Sequence, residues 1–298
     1  MFDRVSRLRR SLAVRVAETG STCSLVAVAR NEGRYLAEWL AFHLAIGFAR
    51  IIVFDHRSVD DTAQVLARAA ANHRAIVAPP FPLRSDRPPQ LAAYAAALSM
   101  VRTPWVAFFD VDEFLVPWRD GSVGAFLARA PATVAAVHIN WRSFGSSGRA
   151  SADYGFVTDA FRRCAEPDWG YQTHYKTLAR TRRIVEVDTH DVVLKAGGRA
   201  MSDLEPALIR SPGLSERAVF DGIQLNHYQC KTLDEFRARM TLPRPNNPGD
   251  DPSNDRTKDI DMRFGMLDRN EVADDRASLF AAALRSYHAR LTGLVPGR

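Results

Sequence analysis

The chain has 298 residues, 46% of them hydrophobic, a formal charge of +6 and three cysteines. That is enough apolar content for one large α/β domain or two small ones, and no apolar stretch approaches the roughly twenty residues that cross a bilayer. Cys23, Cys164 and Cys230 are odd in number and widely spaced, which points to reduced, buried thiols and away from a disulfide framework or a thiolate zinc site.

Residues 1–20 hold Arg4, Arg7, Arg9, Arg10 and Arg15 against Asp3 and Glu18, half of the net charge in a short arm. Val5, Leu8, Leu12 and Val16 fall at helical spacing beside that basic face, so peripheral contact with anionic membrane is one expectation and a solvated helix the other. No apolar core with a small-residue cleavage site marks a signal peptide, and a cytoplasmic location is expected. No basic-aromatic platform accompanies the charge, so a nucleic-acid partner is not expected.

Strand-like and helix-like segments then alternate. Residues 24–29 read as a strand, and 34–46 as a helix with Leu36, Trp39, Leu40, His43 and Leu44 on one side. Residues 51–54 form a second strand, and Asp60 or Asp61 can cap a helix running to about residue 71. A third strand at 75–78, a proline-rich loop at 79–89, a helix at 90–100 and a fourth strand at 105–109 complete a βαβαβ order, which implies a parallel, doubly wound sheet. Beyond residue 130 the pattern loosens. Strands are predicted at 134–141, 176–179, 184–187 and 192–194, a polar, proline-broken loop and candidate lid at 243–259, and a closing helix at 274–291 with Leu279, Phe280, Leu284 and Tyr287 inward. The expected organisation is an arm over 1–20 and one domain over 21–298, whose halves, 21–130 and 131–298, would face each other across a cleft.

The fourth strand ends on Asp110-Val-Asp112-Glu113. Side chains alternate along a strand, so Asp110 and Asp112 share a side at a C-terminal strand end, where open α/β sheets bind ligands. Two such carboxylates make half of a site for a hard cation, Mn²⁺ or Mg²⁺, completed by water and phosphate. The alternative is a strand end bearing solvated acids.

Four segments in this order give the chain a resemblance to inverting glycosyltransferases of the GT-A fold, in the family 2-like group that grades into family 92. They are Val26-Ala-Val-Ala-Arg-Asn-Glu-Gly33 with the helix after it, Asp55-His-Arg-Ser-Val-Asp-Asp-Thr62, Phe109-Asp-Val-Asp-Glu-Phe-Leu115, and Asn226-His-Tyr228. In the second, His56 and Asp61 replace the family's usual Asn and Gly. The resemblance implies a Rossmann-like, mostly parallel sheet flanked by helices, with a C-terminal acceptor-side region. It also implies metal-dependent, inverting transfer from a nucleotide-sugar donor, UDP-linked, to a glycan or glycolipid hydroxyl.

Carried onto this chain, the resemblance implies Asp112 as a direct metal ligand, Asp110 on the ribose or a metal-bound water, and His227 as the ligand returning from the C-terminal half. Arg30 is placed for base or phosphate, and Asp55 and Asp60 for uracil N–H or ribose hydroxyls, with turn and helix capping as their alternatives. Lys176 could neutralise phosphate, against the ordinary reading of an exposed strand lysine. Trp141, in Trp141-Arg-Ser-Phe-Gly145, could stack on a sugar or pack in the core. Glu32 reads as structural. The catalytic base should be an acceptor-side carboxylate; Asp168, between Pro167 and Trp169, is the first choice and Asp191, beside His190, the second.

Two other classes share parts of the pattern. A haloacid-dehalogenase-type phosphatase also has an Asp-x-Asp after an apolar strand, but its motif lies near the chain start, whereas three strands precede this one. A non-catalytic nucleotide-sugar binding protein would retain much the same donor site. Alanine- and arginine-rich composition fits a bacterial enzyme of polysaccharide biosynthesis, an association only.

Overall fold

A computed structural model of the chain describes residues 22–82, 87–242 and 257–294. The basic arm, and residues 243–256 of the candidate lid, lie outside the described residues. The elements run β1 (Cys23–Ala29), α1 (Gly33–Ala45), β2 (Arg50–Asp55), α2 (Thr62–Asn72), β3 (Ile76–Val77), α3 (Pro89–Leu98), β4 (Trp105–Phe108), β5 (Glu113–Val116), α4 (Val123–Ala128) and β6 (Val134–Ser143). They continue with α5 (Val157–Ala160), β7 (Arg163–Cys164), β8 (Tyr175–Arg180), β9 (Ile184–Val187), β10 (Val192–Leu194), β11 (Gly198–Ala200), β12 (Ile209–Ser211), β13 (Leu214–Ser215) and β14 (Gln224–His227). The last are α6 (Leu233–Thr241), α7 (Ile260–Leu267), β15 (Val272–Ala273) and α8 (Ala281–Leu291). The closing helix expected over 274–291 is divided, its first part a 3₁₀ turn at Arg276–Phe280.

The main sheet has the order β3-β2-β1-β4-β8-β6-β14-β5, with β11 against β6. The first four strands are mutually parallel, as the βαβαβ pattern implies. The parallel run stops at β8, which enters antiparallel between β4 and β6, and β5 is antiparallel to β14. Most of the pairings remain parallel and helices flank the sheet, as the resemblance implies.

Both faces of the parallel half are covered, which is why its strands read as continuous apolar runs. Leu25, Ala27, Ile51, Val53 and Ala107 face Leu36, Trp39 and Leu40 of α1, Leu66 of α2 and Leu284 of α8. Their neighbours Val26, Ile52, Phe54, Val106 and Phe108 face Tyr94 and Ala97 of α3 and the hairpin residues Val187 and Val192. The alternation leaves the C-terminal strand edge free to carry polar groups.

One polar group is sealed inside this packing. His43 has no exposed surface; its Nδ1 lies 2.8 Å from the Trp39 carbonyl and its Nε2 3.4 Å from the Leu115 N–H. That arrangement suits a neutral ring donating from Nδ1 and accepting at Nε2. Burial lowers its pKa to about 3. Because the unfolded chain protonates first, the stability this residue supplies is complete above about pH 6.5 and is lost as pH falls toward 3. Urea denaturation across that window should show wild type losing about 1.4 kcal/mol per pH unit more than His43→Gln at the steepest part. Parallel pH profiles for the two proteins would rule this out.

Candidate active site

The site forms where the loops after β1 and β4 meet the strap after β14. The first loop, residues 30–33, is held by the turn that follows β2. Ser58 Oγ accepts from the Asn31 N–H at 2.9 Å, Thr62 Oγ1 from the Glu32 N–H at 2.8 Å and Asp60 Oδ2 from the Gly33 N–H at 3.0 Å. The Asn31 side chain returns the contact by accepting from the Val59 N–H at 2.8 Å. The Ser-x-Asp-x-Thr spacing thus acts as a clamp on three successive amides. A Cβ at Gly33 would overlap the Asp61 carboxylate and crowd the Thr62 N–H, so the close approach requires glycine. Asp60 Oδ1 also accepts from the Thr62 N–H at 3.0 Å. Against the upward push of burial, hydrogen bonds from Thr62 and Gly33 keep the Asp60 carboxyl below its ordinary pKa.

The second loop turns directly into β5, and this places the carboxylates. β5 pairs with β14 in the register Glu113 to His227, while the Tyr228 N–H donates to the Asp112 carbonyl at 2.9 Å. Asp112 and His227 therefore meet across a backbone ladder, with Oδ2 and Nε2 3.6 Å apart and both side chains almost wholly buried. Trp141 secures the histidine: the two ring centroids are 4.1 Å apart, and the indole N–H donates to Glu113 Oε1 at 2.7 Å. Trp141 is buried and stacks on His174 at an interplanar angle of 11°. Of its two predicted roles, it takes the packing one.

Asp110 is held on both oxygens, Oδ2 by Lys176 Nζ at 2.9 Å and Oδ1 by Gln90 Nε2 at 2.9 Å. Lys176 is not the exposed strand lysine of the ordinary reading. It has no exposed surface, also donates to the Thr189 carbonyl at 3.1 Å and lies 3.7 Å from Glu113. Burial pulls its pKa down, but Asp110 and Glu113 more than restore it, so it is a firm buried cation. Glu113 completes the cluster by accepting the Asp110 N–H at 2.9 Å.

These groups border a cleft of about 560 Å³ lined by Arg30, Glu32, Asp110 and Asp112 on one side and Lys231, Glu235 and Arg239 on the other. Arg239 Nη1 lies 3.0 Å from Asp112 Oδ2, and the Lys231 ammonium sits 4.2 Å from the Tyr35 ring centroid. Against the desolvating effect of burial, Arg239 and His227 hold the Asp112 carboxyl well below the usual carboxylate range. Burial has the opposite outcome at Glu32, whose pKa rises to about 7 despite Lys231. Arg30 Nε is buried without a hydrogen-bond partner.

The structure brings Arg30, Asp110 and Asp112 into the cleft, with Lys176 and His227 directly behind the two aspartates. Asp55 stays at the β2 turn, where it accepts from the Ser58 N–H at 3.3 Å, and Asp60 is engaged in the clamp. Asp168 is exposed beside Trp169, outside the cleft lining. Asp191 is buried among donors: the Tyr175 hydroxyl at 2.8 Å, the Val192 N–H at 2.7 Å and Arg199 Nη1 at 2.6 Å. Glu32, Lys231, Glu235 and Arg239 are cleft residues that the sequence reading did not assign to the site. The polar-basic Lys231 to Arg239 stretch following Asn-His-Tyr was the available signal.

The residues fit a divalent cation in part. Asp112 and His227 offer a hard oxygen and an imidazole nitrogen, and their 3.6 Å gap exceeds a hydrogen bond while approaching the about 3.0 Å between adjacent ligands of an octahedral ion with bonds near 2.1 Å. His227 Nδ1 is buried without a partner. Asp110, tied to Lys176 and Gln90, borders the same cleft with one donor on each oxygen. Among the described residues no group of three ligands is already assembled, so phosphate and water would have to complete the shell.

A mostly parallel sheet with acidic strand ends flanking a basic cleft fits the GT-A class of glycosyltransferase folds. Residues 26–214 match the model of glycosyltransferase family 92, and the chain belongs to that family. A family 92 glycosyltransferase of Oryza sativa subsp. japonica is 26% identical over 237 residues, covering 76% of this chain and 36% of that protein. One from Arabidopsis thaliana is 22% identical over 224 residues, covering 70% and 35%. The chain therefore spans about a third of the length of these curated relatives. Among solved structures, Staphylococcus aureus TarS 1-349 aligns over 91% of this chain and 81% of its own at 14% identity and a TM-score of 0.41. Glucosyl-3-phosphoglycerate synthase from Mycobacterium tuberculosis, solved with Mn²⁺, UDP and glucosyl-3-phosphoglycerate, aligns over 46% of this chain and 48% of its own at 19% identity and a TM-score of 0.30.

Proposed function

We propose that this chain transfers a sugar from a UDP-sugar to a glycan or glycolipid hydroxyl with inversion, using Mn²⁺ or Mg²⁺, in the cytoplasm. The observation that carries the reading is the Asp112–His227 pair at the edge of a cleft that also presents Arg30, Lys231 and Arg239. Such a cleft matches the chemistry of a nucleoside diphosphate leaving group, and family 92 membership supports sugar transfer.

Asp112 and His227 would hold the cation, which supplies Lewis-acid stabilisation of the departing diphosphate. Arg30, Lys231 and Arg239 add fixed positive charge where negative charge grows, the preorganised electrostatics that does most in such reactions. Lys176 and Gln90 keep Asp110 in one orientation toward ribose or a bound water, and Trp141 keeps the His227 ring from turning. Two carboxylates are candidates for accepting the acceptor hydroxyl's proton. They are the acceptor-side Asp168, on an exposed turn beside Trp169, and Asp191, which accepts from Tyr175, Val192 and Arg199.

Calorimetric titration of UDP in the presence of Mn²⁺ and in the presence of EDTA tests the donor site. Binding should be at least about tenfold tighter with Mn²⁺, a difference of about 1.4 kcal/mol. Equal affinity under the two conditions would remove the metal from the mechanism, and no binding under either would remove the donor assignment.

A further inference from the structure

Arg239 and a cation held by Asp112 and His227 would compete for one carboxylate. Its Nη1 lies 3.0 Å from Asp112 Oδ2, the oxygen that also faces His227 Nε2 across 3.6 Å. A divalent ion bridging aspartate and histidine would bring a second positive charge against that guanidinium on a single oxygen. At such separations like charges repel, so a cation there would weaken the hold of Asp112 on the guanidinium.

We propose that Arg239 is a built-in counter-cation of the Asp112–His227 pair, occupying Asp112 while the cleft is empty and transferring to the diphosphate when cation and nucleotide enter together. The inference rests on the donor reading above and adds a residue and a binding order to it.

The mounting of Arg239 suits such an exchange. Its side chain is 42% exposed, against 8% for Asp112, so it can leave the carboxylate without unpacking a core. Its helix, α6, is fixed at the other end. The strap enters through Lys231 in a left-handed conformation, φ 52°, and Thr232 and Glu235 form a reciprocal capping box. Glu235 Oε1 also accepts the hydroxyls of Tyr35 at 2.7 Å and Tyr154 at 2.6 Å, pinning the first turn to two other segments. Arg239 follows Glu235 by four residues and so shares its face toward the cleft. With the backbone held, what moves is the guanidinium. Its 3.0 Å bond to the Gln229 carbonyl, made by the same Nη1, tethers it at the cleft wall.

An exchange of this kind makes cation and nucleotide help each other bind, and removing the arginine should change the two affinities in opposite directions. The experiment is Mn²⁺ binding followed by the electron paramagnetic resonance of the free ion, with and without UDP, on wild type, Arg239→Gln and Arg239→Lys. Wild type should bind Mn²⁺ weakly alone and more tightly with UDP. Arg239→Gln should bind Mn²⁺ alone about tenfold more tightly than wild type, and UDP at saturating Mn²⁺ about tenfold more weakly. Arg239→Lys, which keeps the charge but not the planar fork, should fall between them. Unchanged or weaker binding of Mn²⁺ alone by Arg239→Gln, with the wild-type coupling to UDP intact, would overturn the counter-cation role and leave the donor reading standing. Failure of every form to bind Mn²⁺, with or without UDP, would overturn both.

Discussion

Replacing Asp112 with alanine is expected to lower sugar transfer by about a hundredfold or more, the cost of losing one preorganised electrostatic contact in a transition state. The same variant should bind UDP with equal affinity in Mn²⁺ and in EDTA. Two things follow from the geometry. Asp112 is the carboxylate whose oxygen lies 3.6 Å from the His227 ring nitrogen, whereas Glu113, opposite His227 in the ladder, is engaged by Trp141 and the Asp110 N–H. Its backbone carbonyl, not its side chain, accepts from Tyr228, so the ladder should survive the substitution. A loss of transfer without a loss of thermal stability is therefore the expected pattern. Near-normal transfer with cation dependence intact would exclude Asp112 from the metal site.

The second large effect is on folding. Lys176→Met should destabilise the protein by about 3–5 kcal/mol, because it leaves carboxylates buried without their counter-charge. Glu113 has no exposed surface and burial pushes its carboxyl up toward the neutral form, so the uncompensated charge falls on Asp110, whose 36% exposure lowers the expected loss toward the smaller figure. Urea denaturation measures the loss, and adding Asp110→Asn to Lys176→Met should recover part of it through coupling of the pair. An additive double variant, or a single variant within about 1 kcal/mol of wild type, would mean that the pair contributes no more than a surface bridge.

The His43 and Lys176 environments show how burial changes the meaning of a residue type. In sequence both have unremarkable settings, a histidine on a helix and a lysine in a short strand. His43 becomes a neutral packing group because α1 places it against β5 with both ring nitrogens engaged. Lys176 becomes a permanent cation because β8 is inserted antiparallel beside β4, bringing its first turn of chain to the edge where Asp110 lies.

What the sequence determined by itself is the part written in local periodicity. The apolar runs that became β1, β2 and β4 and the helical stripe of α1 are legible because each must bury a face against something. The acidic residues that end β4 are legible because carboxylates interrupt an apolar run only where the chain leaves the core. Tertiary structure decided which distant groups meet. The Asp112–His227 pairing depends on a β5–β14 register that no local pattern encodes. Ser58, Asp60 and Thr62 hold the amides of residues 31–33 because two strand ends lie side by side, and Trp141 packs behind His227 because β6 pairs with β14. Glu32 and Arg239 reach one cleft because the strap after β14 folds back over the loop after β1. Strand and helix propensities act over a few residues, whereas a binding site is assembled by contacts whose loop-closure entropy is offset only when the whole sheet forms.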